Sequence, residues 1–167
     1  PQDITNGIVK ISIVEGRFGD VIFDSSGSTS VKKEIILSNL RNGITQGQIY
    51  KAKDFDRRLQ IADDLPGVSL TGFLQSSKKA GHLDLVLKSS KEPSYIAEVA
   101  VDNANSRSLG AEKVSFSGML VSPFQFGETI SLQTLKSKGC RYGRFSFGFP
   151  LGYRGWKMSL NGSRMNY

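Results

Sequence analysis

From Tyr95 to the last residue the chain alternates apolar with polar side chains almost without interruption, and no other feature constrains its fold as much. Tyr95, Ala97, Val99 and Val101 oppose Ile96, Glu98, Ala100 and Asp102. Val114, Phe116, Gly118 and Leu120 oppose Ser115, Ser117 and Met119, and Ile130 and Leu132 oppose Ser131 and Gln133. Phe145, Phe147 and Phe149 oppose Arg144, Ser146 and Gly148, while Trp156, Met158 and Leu160 oppose Lys157, Ser159 and Asn161. A period of two, punctuated by Gly, Pro, Asn and Ser, is the signature of strands joined by turns. Strands that alternate along their whole length, with few helices to cover them, suit a barrel wall with lipid on one face and water on the other. The charges Glu98, Asp102, Arg144 and Lys157 all fall on the polar face. That segregation is required of such a wall, since a lipid-facing Lys or Arg at the bilayer midplane costs about 2–4 kcal/mol. A soluble sandwich also turns its charges outwards, so the pattern favours the membrane without proving it.

Upstream of Glu92 the texture is that of a small domain with a packed core. Residues 7–14 (GIVKISIV) alternate as a strand with Val9, Ile11 and Ile13 inward, and residues 18–24 begin a second strand. Residues 25–30 (SSGSTS) form a loop that can supply a hydroxyl N-cap. Ile35, Ile36 and Leu40 then recur near helical spacing over residues 31–40. Residues 53–65 place Phe55, Leu59 and Ala62 on one helical face, with Asp54 and Asp56 in the first turn and Pro66-Gly67 as the stop. Residues 68–74 (VSLTGFL) and 82–88 (HLDLVLK) are alternating strands joined by a polar loop. Two helices on one face of such a sheet give a core of about 70 residues, enough for marginal independent stability.

The composition closes several routes to chemistry. One cysteine, Cys140, and one histidine, His82, leave no internal disulfide, no cysteine-rich metal site and no histidine-based triad. No phosphate-binding Gly-Lys motif is present, so no nucleotide or other cofactor is expected, and the chain does not read as an enzyme. There is no secretory signal and no helical span of about 18 apolar residues. The net charge of +7 comes from scattered Lys and Arg, with no basic arm. The densest stretch, residues 136–144 (KSKGCRYGR), reads as an exposed loop between strands. An opening on Pro1 and an end at Tyr167, on a strand pattern, read as a piece of a longer chain.

Residues 122–128 (SPFQFGE) and 150–155 (PLGYRG) read as compact aromatic turns, whereas residues 103–110 and 136–143 read as longer or more polar connections. Outer-membrane barrels show this asymmetry, with tight turns on the periplasmic side. Phe124, Phe126 and Tyr153 at the tight ends would sit in an interfacial aromatic girdle.

VEGRFGDVIF (14–23), DDLPGVSLTGFLQ (63–75), HLDLVLK (82–88), VDNANSRSLG (101–110), SPFQFGETISL (122–132) and YGRFSFGFPLGYRGW (142–156) occur in this order. With these pieces the chain resembles the outer-membrane transporters of two-partner secretion, the hemolysin-activator family, within the superfamily of barrels that carry periplasmic POTRA domains. The resemblance covers nearly the whole chain. It implies that residues 1–16 hold the last strand of a preceding POTRA domain. Residues 17–91 would be an α+β POTRA domain of order β-α-α-β-β, and residues 95–167 the first about five strands of a transmembrane β-barrel of roughly sixteen. The family's plug helix, most of its first POTRA domain and its inward-folded loop have no counterpart here.

The same resemblance implies a function: a pore that recognises an unfolded exoprotein of hemolysin or adhesin type in the periplasm and secretes or activates it. The implied partners are that exoprotein and outer-membrane lipid, with no nucleic acid, and the chain is expected to be a monomer. Within the superfamily the alternative is barrel assembly. From another class, a soluble basic β-rich module could bind nucleic acid or polysaccharide, which needs Lys and Arg interleaved with aromatics on one face.

The family recognises its partner through POTRA domains, and strand addition to an exposed sheet edge is the physical route. Val68, Leu70, Gly72 and Leu74 mark the candidate edge, with Phe55 and Leu59 on the adjacent groove; an ordinary hairpin strand and plain core are the competing readings. Asp63 and Asp64 read as a solvated helix end, because adjacent helical residues do not face each other. His82 reads as surface and Cys140 as an inert loop thiol, although Lys138, Arg141 and Arg144 nearby could activate it. Residues 105–108 (NSRS) could bind phosphate but have the character of a routine hairpin loop, and residues 16–19 read as a hinge between successive POTRA domains.

Overall fold

The computed structural model describes residues 15–24, 28–49, 51–103 and 111–167. The strand expected over residues 7–14 and the polar stretch 105–108 lie outside them. Two sheets follow one another along the chain. The first is mixed, in the order β1-β3-β2, with β1 Arg17–Phe23, β2 Val68–Ser76 and β3 His82–Lys91. Its helices are α1 Lys33–Arg41 and α2 Ala52–Asp63, so the element order is β-α-α-β-β as expected.

β1 runs parallel to β3, which forces a crossover, and the two helices supply it. β2 and β3 form an antiparallel hairpin with Val68 opposite Lys91 and Ser76 opposite Leu83. The helices cover one face only. Leu85 and Leu87 of β3 and Val68 and Leu70 of β2 point into a core with Phe18, Val31, Ile36, Leu40, Phe55, Ala62 and Leu65. Gly72 lies where α2 crosses the sheet: a Cβ there would stand 3.1 Å from Leu59 Cδ2 and 3.2 Å from Leu85 Cδ1, so a side chain would crowd both leucines.

No hydroxyl caps α1. Its N-cap is Lys32, without a side-chain hydrogen bond, and Thr29 Oγ1 donates to the Val31 carbonyl at 2.6 Å instead. Asp63 is more than a solvated helix end, for its Oδ1 accepts the Leu70 N–H at 2.6 Å and ties the end of α2 to β2.

The second sheet is an antiparallel meander, β4 Tyr95–Asp102, β5 Lys113–Val121, β6 Thr129–Ser137, β7 Arg141–Leu151 and β8 Trp156–Asn166. It is not closed: β4 and β8 are its two edges. The expected long polar connection over residues 136–143 is absent, because β6 continues to Ser137 and β7 starts at Arg141. The Ser137 N–H bonds to the Cys140 carbonyl at 2.8 Å and closes the turn, with Cys140 buried. Lys136 and Arg141 keep the strand period and pair across β6 and β7. Strand alternation therefore outlasted the local charge density that had read as a loop.

Candidate docking edge and barrel junction

β2 has a neighbour on one side only. Among the described residues it pairs with β3, and its other side carries no strand. Unpaired N–H and C=O groups along a sheet edge are a template for an incoming extended chain. The six residues expected to form the docking site divide by depth. Phe55, Val68 and Leu70 are buried in the core, while Leu59 and Gly72 are half-buried and Leu74 is exposed. The buried three fix the strand against the helices, and since Leu65 and Asp63 already hold the Val68 and Leu70 N–H groups, the accessible part is the backbone edge beyond Leu70 with the Leu74 side chain. Phe55 also lines a small cavity of about 80 Å³ on the far side of α2, with Phe18, Ile44, Gln48 and Ile49. On the uncovered face of the sheet Phe73 stays exposed, with Lys88 Nζ 5.4 Å from its ring centroid.

The second region of interest was not among the expected site residues. It is the turn between β5 and β6, where the two sheets meet. Ser122 and Gln125 both take positive φ, 51° and 67°, which non-glycine residues rarely adopt. Buried Glu128 holds the loop in that shape, its carboxylate accepting the Phe124 N–H through Oε1 and the Phe126 N–H at 2.8 Å through Oε2. The turn grips the mixed unit at three points. Ser122 Oγ donates to the Pro66 carbonyl at 2.5 Å, and the Gln125 carbonyl accepts the Lys32 N–H at 3.0 Å. The Lys32 ammonium lies 4.7 Å from the centre of the Phe126 ring. On the next turn, Lys157 Nζ donates to the Asp64 carbonyl at 2.9 Å. A sequence signal existed in the Glu that ends SPFQFGE, but its partners are backbone groups of its own loop. Only the fold shows that it is buried.

Cross-strand register settles the two faces of the five-stranded sheet. Val99, Phe116, Thr134, Gly143 and Arg164 form one row, and Leu120, Ile130, Phe147 and Leu160 another, all on the same side. The opposite side carries Glu98, Asp102, Lys113, Ser117, Gln133, Arg144, Ser146, Lys157 and Asn161. Asp102 and Lys113 form an ion pair of 3.3 Å there, and Arg144 Nη2 donates to Asn161 Oδ1 at 3.3 Å. The apolar side stays bare: Tyr95 and Val101 are 73% exposed, Trp156 70% and Val99 68%. A contiguous bare apolar face of this kind marks a surface that meets a partner or a membrane. Phe145, Phe147 and Phe149 stand on the side away from Arg144, and the cations of their own side, Lys136, Arg141 and Arg164, gather at one end of the sheet instead of interleaving with the rings.

The neighbours in sequence and structure agree with this geometry. The chain is 25% identical over 138 residues to the heme/hemopexin transporter protein HuxB of Haemophilus influenzae, a match that covers 82% of the chain and 24% of HuxB. It superposes on CdiB from Escherichia coli with a TM-score of 0.64 at 16% identity, over 97% of this chain and 34% of CdiB. CdiB from Acinetobacter baumannii gives 0.57 at 18% identity, over 99% and 31%. In sequence the chain is similar to a transporter protein, and in fold to the CdiB proteins. Its fold is a POTRA unit followed by an open run of barrel strands. BamA from Haemophilus ducreyi, lacking POTRA domains 1–3, shares the fold at a TM-score of 0.61 and 8% identity, over 91% of this chain and 28% of BamA. No family profile matches the sequence. The chain spans about a quarter of the length of the curated relatives it matches.

Proposed function

We propose that residues 17–91 are the periplasmic docking domain, and residues 95–167 the first strands, of a pore that captures an unfolded exoprotein and passes it outward. The observation that carries this reading is the free side of β2, the edge of a sheet whose next strand, β3, leads directly into the first strand of the open meander. An extended exoprotein segment would add to that edge by main-chain hydrogen bonds, with Leu74 and the half-buried Leu59–Gly72 contact shaping selectivity. The energy would come from the exoprotein folding outside, and no reaction is catalysed. Barrel assembly rests on the BamA fold alone, whereas secretion also has sequence likeness to a transporter behind it.

Strand addition makes a testable demand on register. Single cysteines at Ser69, Thr71, Phe73 and Gln75 should crosslink to the exoprotein at positions spaced by two residues, because successive side chains alternate faces. Crosslinks scattered without that period, or concentrated on α1 rather than β2, would overturn the edge.

A further inference from the structure

The outward face of the five-stranded sheet is apolar along most of its height and then turns basic. Lys136 sits directly opposite Arg141 on that face. Arg164, opposite Gly143, is one diagonal step from Arg141. Pairs directly opposite have Cβ atoms about 4.5–5.5 Å apart and diagonal ones about 7–8 Å, so the three form a single cluster. Lys138 follows in the adjoining turn, and two carboxylates line the same recess as Lys136 and Lys138: Glu112, and Asp102, which is paired with Lys113. Among the described residues the ion pair on this sheet is Lys113–Asp102, on the opposite face, and the side chains of Lys136, Arg141 and Arg164 have no partner.

Height decides what these cations meet. β7 runs 11 residues from Arg141 to Leu151, beside the junction turns at the periplasmic end. Ten steps of about 3.4 Å at a tilt of about 40° lift Arg141 about 26 Å above Leu151, and the apolar band of such barrels is about 25 Å tall. Arg141 and Lys136 therefore stand at the outer headgroup level, where an outward cation costs little, and Arg164, about 21 Å up by the same steps, is within reach of that level through its long side chain. Below it the surface is recessed. A Cβ at Gly143 or at Gly162 would meet nothing within 4 Å, and Leu132, Phe145 and Leu160 stand exposed beside the bare backbone.

We propose that Lys136, Arg141 and Arg164 bind the phosphates of a polyphosphorylated glycolipid in the outer leaflet, with an acyl chain lying in the glycine recess beneath. The charge asks for phosphate, and the trough below it asks for a lipid rather than a free anion. The test uses the protein in detergent micelles, with lipid retention read by native mass spectrometry. The probes are bisphosphorylated lipid A, dephosphorylated lipid A and inorganic phosphate.

The wild-type protein is expected to retain the bisphosphorylated lipid and not the dephosphorylated one. Each cation near an anionic lipid surface contributes about fivefold, so the triple variant Lys136→Gln, Arg141→Gln, Arg164→Gln should weaken retention on the order of 100-fold. The inner-face double variant Lys113→Gln, Arg144→Gln should retain the lipid as wild type does. The charge-keeping variant Lys136→Arg, Arg141→Lys, Arg164→Lys should also retain it. If the triple variant does not fold, Arg164→Gln alone should still show a loss of about fivefold. Equal loss in the inner-face variant, equal retention of dephosphorylated lipid, or full displacement by millimolar inorganic phosphate would each overturn the proposal.

Discussion

The two sheets use the same sequence period and reach opposite ends. In the mixed sheet the apolar alternates are sealed by helices, and Leu85 and Leu87 of β3 are 0% exposed. In the five-stranded sheet the apolar alternates are bare, with Val99 at 68% and Trp156 at 70%. Alternation fixes which side chains share a face, but it does not say what that face meets. A face becomes a core when the chain supplies something to cover it. Here α1 and α2 cover the first sheet, and among the described residues no element covers the second.

The difference predicts where each half fails. Leu85→Ala leaves a cavity at the centre of the POTRA core and should cost about 2–5 kcal/mol. Urea unfolding of residues 17–91 measures it, and a change under 1 kcal/mol would show that the helices do not seal that face. The same truncation at Val99, on the bare face, should leave unfolding of the POTRA unit untouched.

For the second sheet the informative change is charge. Phe147→Lys places an ammonium on the outward face near mid-height and should lower folding efficiency in liposomes by about 2–4 kcal/mol. Ser146→Lys, one residue away on the inner face, should be nearly neutral. If the two behave alike, the outward face does not meet hydrocarbon, and the contrast between the sheets disappears.

Much of this was legible in the sequence because both signals are local. The period of two located β4 to β8, and Phe55, Leu59 and Ala62 located α2. The sidedness of Phe145, Phe147 and Phe149 against Arg144 needed nothing beyond alternation. What could not be read depends on distant packing. Glu128 is buried because Pro66 and Lys32, far away in the chain, come to lie against its turn. The charge density of KSKGCRYGR reads as a loop, yet its residues extend two strands and close a tight turn. Strand pairing on both sides outweighed local polarity there. The hydroxyl cap of α1 failed for a related reason: the chain enters the helix along the β5–β6 turn, and the Lys32 N–H bonds to that turn instead.

The smallest predicted effects lie at the junction, where the halves would be uncoupled without harming either. Glu128→Ala removes the acceptor for two loop N–H groups and should destabilise the turn by about 1–3 kcal/mol. Gln125→Gly relieves a positive φ of 67° and keeps the carbonyl that accepts the Lys32 N–H, so it should tighten the turn by about 0.5–1 kcal/mol. Hydrogen exchange at Lys32 in the folded protein reads both: faster in Glu128→Ala, slower in Gln125→Gly. Unchanged exchange at Lys32 in Glu128→Ala would mean that the POTRA unit is not held by this turn. The opposite signs separate loss of the turn's shape from general damage, because a merely disruptive substitution speeds exchange in both variants.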